Sequence, residues 1–165
     1  FQDSDRQNIS NGETTHRGVE FAIKYDFAEN FYLAFAGTLA RHKYANDLTL
    51  SRENIQGNFI DTAPKHMGSA QIGWLAEAGH KVELESVKMA SYFLDPANTA
   101  EYAGHNVFNL RVSFSLSEQL TLSARLLNLS DRDYAERADF AFGNYRYFTG
   151  QSRAVHIEVK RNFSL

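Results

Sequence analysis

The sequence predicts an all-β protein, an antiparallel transmembrane β-barrel segment of about seven long strands. Three observations predict it. Apolar and polar residues alternate at period two over stretches longer than a globular strand, the apolar faces are almost free of charge, and tight turns alternate with long polar connections.

The first strand spans roughly residues 15–27. Val19, Phe21, Ile23, Tyr25 and Phe27 share one face, and Glu20, Ala22, Lys24 and Asp26 the other. A helix would scatter those charges among the aromatics. After the short turn Ala28-Glu29-Asn30 the pattern returns over 31–45, with Phe31, Leu33, Phe35, Gly37 and Leu39 opposite Tyr32, Ala34, Ala36, Thr38 and Ala40. Two such runs across a short turn make a hairpin. The third strand, 65–76, carries Ala70, Ile72 and Trp74. The fourth, 81–94, is irregular: Val82 and Leu84 take one parity, Val87, Met89 and Phe93 the other. A β-bulge near Ser86 is the expected reconciliation. Strands over 106–116 (Phe108, Leu110, Val112, Phe114, Leu116), 119–129 (Leu120, Leu122, Ala124, Leu126) and 152–163 (Val155, Ile157, Val159, Phe163) complete the set. The two prolines, Pro64 and Pro96, lie beside polar loop sequence and punctuate strands.

The connections at 28–30, 77–80 and 117–118 are tight, whereas about 46–63, 95–105 and 130–151 are long and polar. Short turns on one rim and long loops on the other describe an outer-membrane barrel with its turns toward the periplasm. Residues 1–14 then read as the tail of another outer loop. The rival is a soluble β-sandwich, which also alternates. Strand length favours the barrel, since globular strands average about 5–6 residues and a tilted membrane strand needs about 9–11. Charge placement agrees: Glu20, Lys24, Asp26, Arg111, Arg125, His156, Glu158 and Lys160 all take the parity of a lumen, and Arg161 is expected to snorkel near a strand end.

Composition narrows function. Seventeen Lys+Arg against 20 Asp+Glu, for a net charge of −3, is no nucleic-acid footprint. No run reaches the ~18 apolar residues of a membrane helix, and a mean hydropathy of −0.44 is compatible with alternating barrel strands. Cysteine is absent, so there is no disulfide framework, thiolate metal site or cysteine nucleophile. The first residue is Phe1, without a leader pattern, so the chain reads as a fragment.

Several segments carry a resemblance. Ser10-Asn11-Gly12-Glu13-Thr14-Thr15-His16-Arg17-Gly18-Val19-Glu20, Ala63-Pro64-Lys65-His66, Asp95-Pro96-Ala97-Asn98-Thr99 and Tyr102-Ala103-Gly104-His105 resemble the barrel of TonB-dependent outer-membrane receptors. Leu126-Leu127-Asn128-Leu129-Ser130-Asp131-Arg132-Asp133-Tyr134 is similar to a segment of that family, and Tyr147-Phe148-Thr149-Gly150-Gln151-Ser152-Arg153 to its lead into the final strand. Thr149 replaces the usual proline. Ser164 and Leu165 follow Phe163 where the family's barrel usually ends on an aromatic. The resemblance implies that residues 1–165 are the last part of a barrel of about 22 strands, with the plug domain outside this chain.

No phosphate loop, nucleophile elbow or His-Glu-x-x-His is present, so no catalytic residue, cofactor or metal site is expected. The six histidines have irregular spacing and read as rim and loop residues. The resemblance implies ligand binding by outer loops, with candidate contacts Arg41, His42, Tyr44, Arg52, Tyr102, His105, Phe140, Phe142, Tyr145 and Tyr147. The aromatics of 140–148 read first as a membrane-surface girdle and second as a ligand platform. Arg111 and Arg125 face the lumen and are expected to hold acidic plug residues or barrel carboxylates such as Glu20 or Glu158. Asn128, Leu129, Gly150, Arg153 and Phe163 are expected to be structural. The implied function is import of a scarce nutrient, in this family most often a ferric siderophore, in the Gram-negative outer membrane. Implied partners are lipid, the rest of barrel and plug, and TonB through the plug. The alternatives are a small outer-membrane or secreted β-protein that binds ligand without transport, and an outer-membrane hydrolase barrel lacking a convincing nucleophile and base.

Overall fold

The computed structural model describes residues 12–47, 49–50, 53–77 and 79–163. Thirteen strands follow in chain order: β1 (Thr14–Ala28), β2 (Phe31–Tyr44), β3 (Thr49–Leu50), β4 (Glu53–Asn54), β5 (His66–Leu75), β6 (Lys81–Met89), β7 (Tyr92–Phe93), β8 (Glu101–Tyr102), β9 (His105–Ser117), β10 (Leu120–Leu127), β11 (Ala135–Ala141), β12 (Asn144–Thr149) and β13 (Ala154–Arg161). Seven form one antiparallel sheet in the order β1-β2-β5-β6-β9-β10-β13, and the other six form three small hairpins inside the long connections. Among the described residues no helix is long and apolar enough to cross a membrane, a test that does not bear on strands.

Pairing carries the alternation from strand to strand. Ile23 faces Phe35, which faces Ala70; Leu84 faces Leu110, which faces Leu126, which faces Val155. One face of the sheet is therefore a continuous apolar surface, left exposed at Val19, Ile23, Phe35, Ile72, Phe114 and Ile157. A solvent-facing apolar surface of this extent calls for an apolar complement. Arg161 is not the lone cation on that parity. Arg17 pairs with Arg41 at its outer rim, and Lys43 and Lys88 share the face, so the apolar band is bounded by cations above as well as below.

The expected bulge near Ser86 is absent. Strand β6 pairs without register shift against both β5 and β9, so Val82, Leu84 and Ser86 face outward while Glu83, Glu85, Val87 and Met89 face the lumen side. The parity change has another cause: Val87 and Met89 lie beneath the folded outer loops, with His105, Val107 and Tyr134 around the same hollow. The strand also ends earlier than expected, at Met89, and Phe93 belongs to the β7–β8 hairpin. Register shifts fall instead at Asp26/Ala28, at Leu120/Thr121 and within the β11–β12 hairpin, the rim and edge sites where bulges concentrate.

The lumen-side face is polar and tightly bonded. Arg111 donates from Nη1 to Glu83 Oε1 and from Nη2 to Glu85 Oε2, both at 2.9 Å. Gln71 and Asn109 donate to Glu85 at 2.9 and 3.0 Å, and Lys81 and the Tyr32 hydroxyl reach Glu83. The carboxylates that hold Arg111 are thus Glu83 and Glu85, not Glu20 or Glu158. The Tyr32 ring lies across Gly73, its direct partner on β5, where any Cβ would strike it; an aromatic over a strand glycine pins register. The buried apolar clusters sit in the outer loops rather than the sheet: Tyr92, Leu94, Tyr102, Ala135 and Ala138 in one, Tyr44, Leu50 and Ile55 in the other. Among the described residues, strands β1 and β13 each keep one unpaired edge. In hydrocarbon an open edge costs several kcal/mol per unsatisfied group, so the sheet needs further strands to close.

Candidate functional site

The long connections are not loose loops. The first (45–65), second (90–104) and third (128–153) are bonded in series into one cap over the outer end of the sheet. Asn98, held at φ 60°, mimics a strand neighbour: its side chain accepts from Phe59 N and donates to Phe59 O, each at 2.8 Å. Its turn is fixed by Asp95, which accepts from Thr99 N at 3.0 Å and Ala100 N at 2.9 Å. These bonds join the first and second connections. Two buried tyrosines join the second to the third. Tyr92 Oη accepts from Ala138 N at 2.7 Å and donates to Ala138 O at 3.2 Å; Tyr102 Oη sits 3.1 and 3.0 Å from the same two groups of Ala135 and 2.9 Å from His105 Nδ1. A hydroxyl that serves one peptide as donor and acceptor satisfies buried backbone that no strand reaches.

The third connection is anchored by a knot of side chains. Asn128, 2% exposed, donates to Arg132 O at 2.9 Å and Gln151 O at 3.0 Å and accepts from Arg132 N at 3.0 Å. Asp131 accepts from Arg153 N at 2.9 Å, Leu129 N donates to Phe108 O at 2.8 Å, and the Tyr134 ring covers Gly150. Asn128 has φ 48° and Asp131 φ 51°, a region in which Asn and Asp are enriched. Asn128→Ala removes three bonds and disfavours that φ. It is expected to cost about 2 kcal/mol or more and to free the third connection first, read as faster amide exchange over 130–151 than in β9 and β10.

The expected contact residues divide. Tyr44, Tyr102 and His105 are buried; Tyr44 donates to Asp61 at 2.8 Å, and Tyr102 and His105 belong to the cap's interior. Burial holds the Asp61 carboxyl above the usual carboxylate range, against the opposing Tyr44 bond. Arg41 takes the outward parity and His42 the lumen parity, beside His16. Arg52 lies outside the described residues. Phe142, Tyr145 and Tyr147 are exposed on the β11–β12 hairpin at 57%, 49% and 58%, and Phe140 packs on Tyr145 at 5.0 Å. On the hairpin's other face the buried Asp139 sits between Arg137 at 2.6 Å and Arg146 at 2.7 Å. Arg125 pairs in register with Arg111 on one side and His156 on the other. With Lys81, Ser123 and Glu158 these line a hollow of about 460 Å³. Phe163 is exposed, with Arg161 over its ring at 5.0 Å.

Tyr92, Asp95, Asn98 and Asp139 were not singled out from the sequence, although the first three flank or fill the Asp95-Pro96 segment. The arrangement positions an aromatic, arginine-bearing surface above a charged wall. Among the described residues no three His, Asp, Glu or Cys side chains cluster as a metal site.

Comparison with known proteins agrees with this architecture. Residues 1–129 match the family model described as TonB dependent receptor-like, beta-barrel. Among solved structures, the chain is similar to the ferric citrate transporter FecA in its unliganded form, at 21% identity and TM-score 0.81, covering 99% of this chain and 26% of that one. The ferric yersiniabactin uptake receptor FyuA from Yersinia pestis matches at 19% identity and TM-score 0.76, covering 93% and 24%. The copper transporter OprC matches at 18% and 0.70, covering 93% and 24%. The chain thus spans about a quarter of the length of these structures, and identities this low speak to fold alone.

Proposed function

The chain belongs to the TonB-dependent receptor-like β-barrel family, and from that membership we propose that it is the C-terminal barrel segment of an active importer for a scarce nutrient complex. The family is one of outer-membrane receptors and transporters, not enzymes. In our reading residues 1–165 supply the last seven strands of a barrel whose remaining strands and plug lie elsewhere. A ferric siderophore or similar iron complex is the cargo. Lipid meets the apolar band, and energy reaches the plug through TonB, which does not touch these strands.

The observation that carries this reading is the cap. A passive ligand-binding barrel does not require three connections bonded into one rigid unit that holds exposed aromatics over a polar lumen wall. The exposed aromatics of the β11–β12 hairpin, Tyr145 and Tyr147 on one face and Phe142 beside Arg146 at the turn, are the proposed first contact for ligand, and Arg111 and Arg125 the proposed wall facing the plug. Substitution tests this better than deletion, because Ala138 and Asp139 of the same hairpin are buried in the cap. Replacing Phe142, Tyr145 and Tyr147 together by Ala in the whole receptor is expected to lower uptake of radiolabelled ferric siderophore at least about tenfold while the barrel assembles normally. Unchanged uptake removes the hairpin from the ligand path.

A further inference from the structure

We propose that His16 and His42 form a two-imidazole site for a divalent late first-row transition-metal ion, at the outer end of the β1–β2 hairpin on its lumen-side face. The two residues are direct register partners. Their Nδ1 atoms are 2.7 Å apart and their ring centroids 5.0 Å. Two neutral imidazoles that turn bare Nδ1 lone pairs on each other repel; a proton or a cation between them removes the conflict.

Thr14 suits His16 to the role of ligand. Its hydroxyl lies 2.9 Å from His16 Nε2. An Nε2–H that donates to Oγ1 fixes the tautomer in which Nδ1 carries no proton, as outer groups commonly do for metal-bound histidines. With metal–nitrogen bonds of about 2.0–2.1 Å, nitrogens 2.7 Å apart occupy two cis positions close to a right angle. Imidazole donors suit Cu²⁺, Ni²⁺ and Zn²⁺, whereas Mg²⁺ and Ca²⁺ take oxygen ligands. The next pair inward on this face is Gly18 and Ala40, neither of which carries a ligating side chain, so water would complete the coordination. The two histidines are 26 residues apart, so no short ligand motif announces them. The inference rests on the β1–β2 register and is independent of the transport reading: it concerns a bare ion, not a ferric complex.

The test is titration of the whole receptor, purified in detergent and stripped by chelator, with CuCl₂ at neutral pH, followed by electron paramagnetic resonance. The difference between the parent and the His16→Ala/His42→Ala double variant is expected to be a Cu²⁺ signal with two equatorial nitrogens. Either single variant is expected to weaken that site about 100-fold, the loss of a chelate partner. Thr14→Val should weaken it about tenfold with both ligands present. β-Sheet circular dichroism identical to the parent establishes that the variants fold. Identical spectra and affinities in the parent and the double variant overturn the proposal. A one-nitrogen difference signal does so as well.

Discussion

Phe35→Arg in the whole receptor is expected to destabilise the barrel by about 2–4 kcal/mol in phospholipid vesicles, while Ala36→Arg, one residue on, costs far less. Phe35 lies midway along β2, 42% exposed on the apolar face between Ile23 and Ala70. A guanidinium there sits in hydrocarbon well short of the outer rim that Arg41 marks, and the nearer charge on that face, Lys88 in the shared hollow, is a like one. Ala36 pairs with Ala22 and Ser69 on the opposite face, among small and polar neighbours that admit water. The contrast between adjacent positions is the diagnostic, because any general effect on β2 acts on both. Denaturant midpoints that shift equally for the two variants would show that the odd face of β2 does not meet lipid.

The seven sheet strands were legible because period two is a local signal and a lipid-facing surface leaves little room for exceptions. The parity change in β6 was visible as well, but the strand carries no bulge and pairs without register shift. The cause of that change was not visible, because Val87 and Met89 are apolar on the lumen side for the sake of Tyr134 and the cap, which come from other parts of the chain. The same limit hid the cap itself. Tyr92 fell inside the expected strand 81–94 and Tyr102 among the candidate contacts, and nothing local shows that their hydroxyls close on the backbone of Ala138 and Ala135, 46 and 33 residues away. Likewise the segments around Asp95-Pro96 and Asn128 were visible as a resemblance, but their work is geometric: Asp95 and Asn98 lock one turn to the neighbouring connection, and Asn128 and Asp131 lock both ends of another. Ligand-facing residues remain the least legible part, since exposure depends on which aromatics the cap buries.

Arg111→Met is expected to destabilise the barrel by roughly 3 kcal/mol, toward the lower end of the range for breaking a buried pair. The Glu83 and Glu85 side chains are only 5% and 10% exposed, and Arg111 holds one oxygen of each. Without it, Glu83 keeps Lys81 and Tyr32, but Glu85 keeps only the neutral donors Gln71 and Asn109. Arg111 itself is 39% exposed, so lumen water takes over part of its role and holds the loss below that of a fully dry triad. The cause is charge rather than packing, and a second variant separates them. Adding Glu85→Gln to Arg111→Met removes the uncompensated carboxylate while leaving a side chain that Gln71 and Asn109 can still bond, so the double variant is expected to regain more than half of the loss. Equilibrium urea titration of the refolded receptor in vesicles reads both numbers. A double variant less stable than Arg111→Met alone would mean that the guanidinium acts by filling space between β6 and β9, and that the lumen wall is not organised around its two carboxylates.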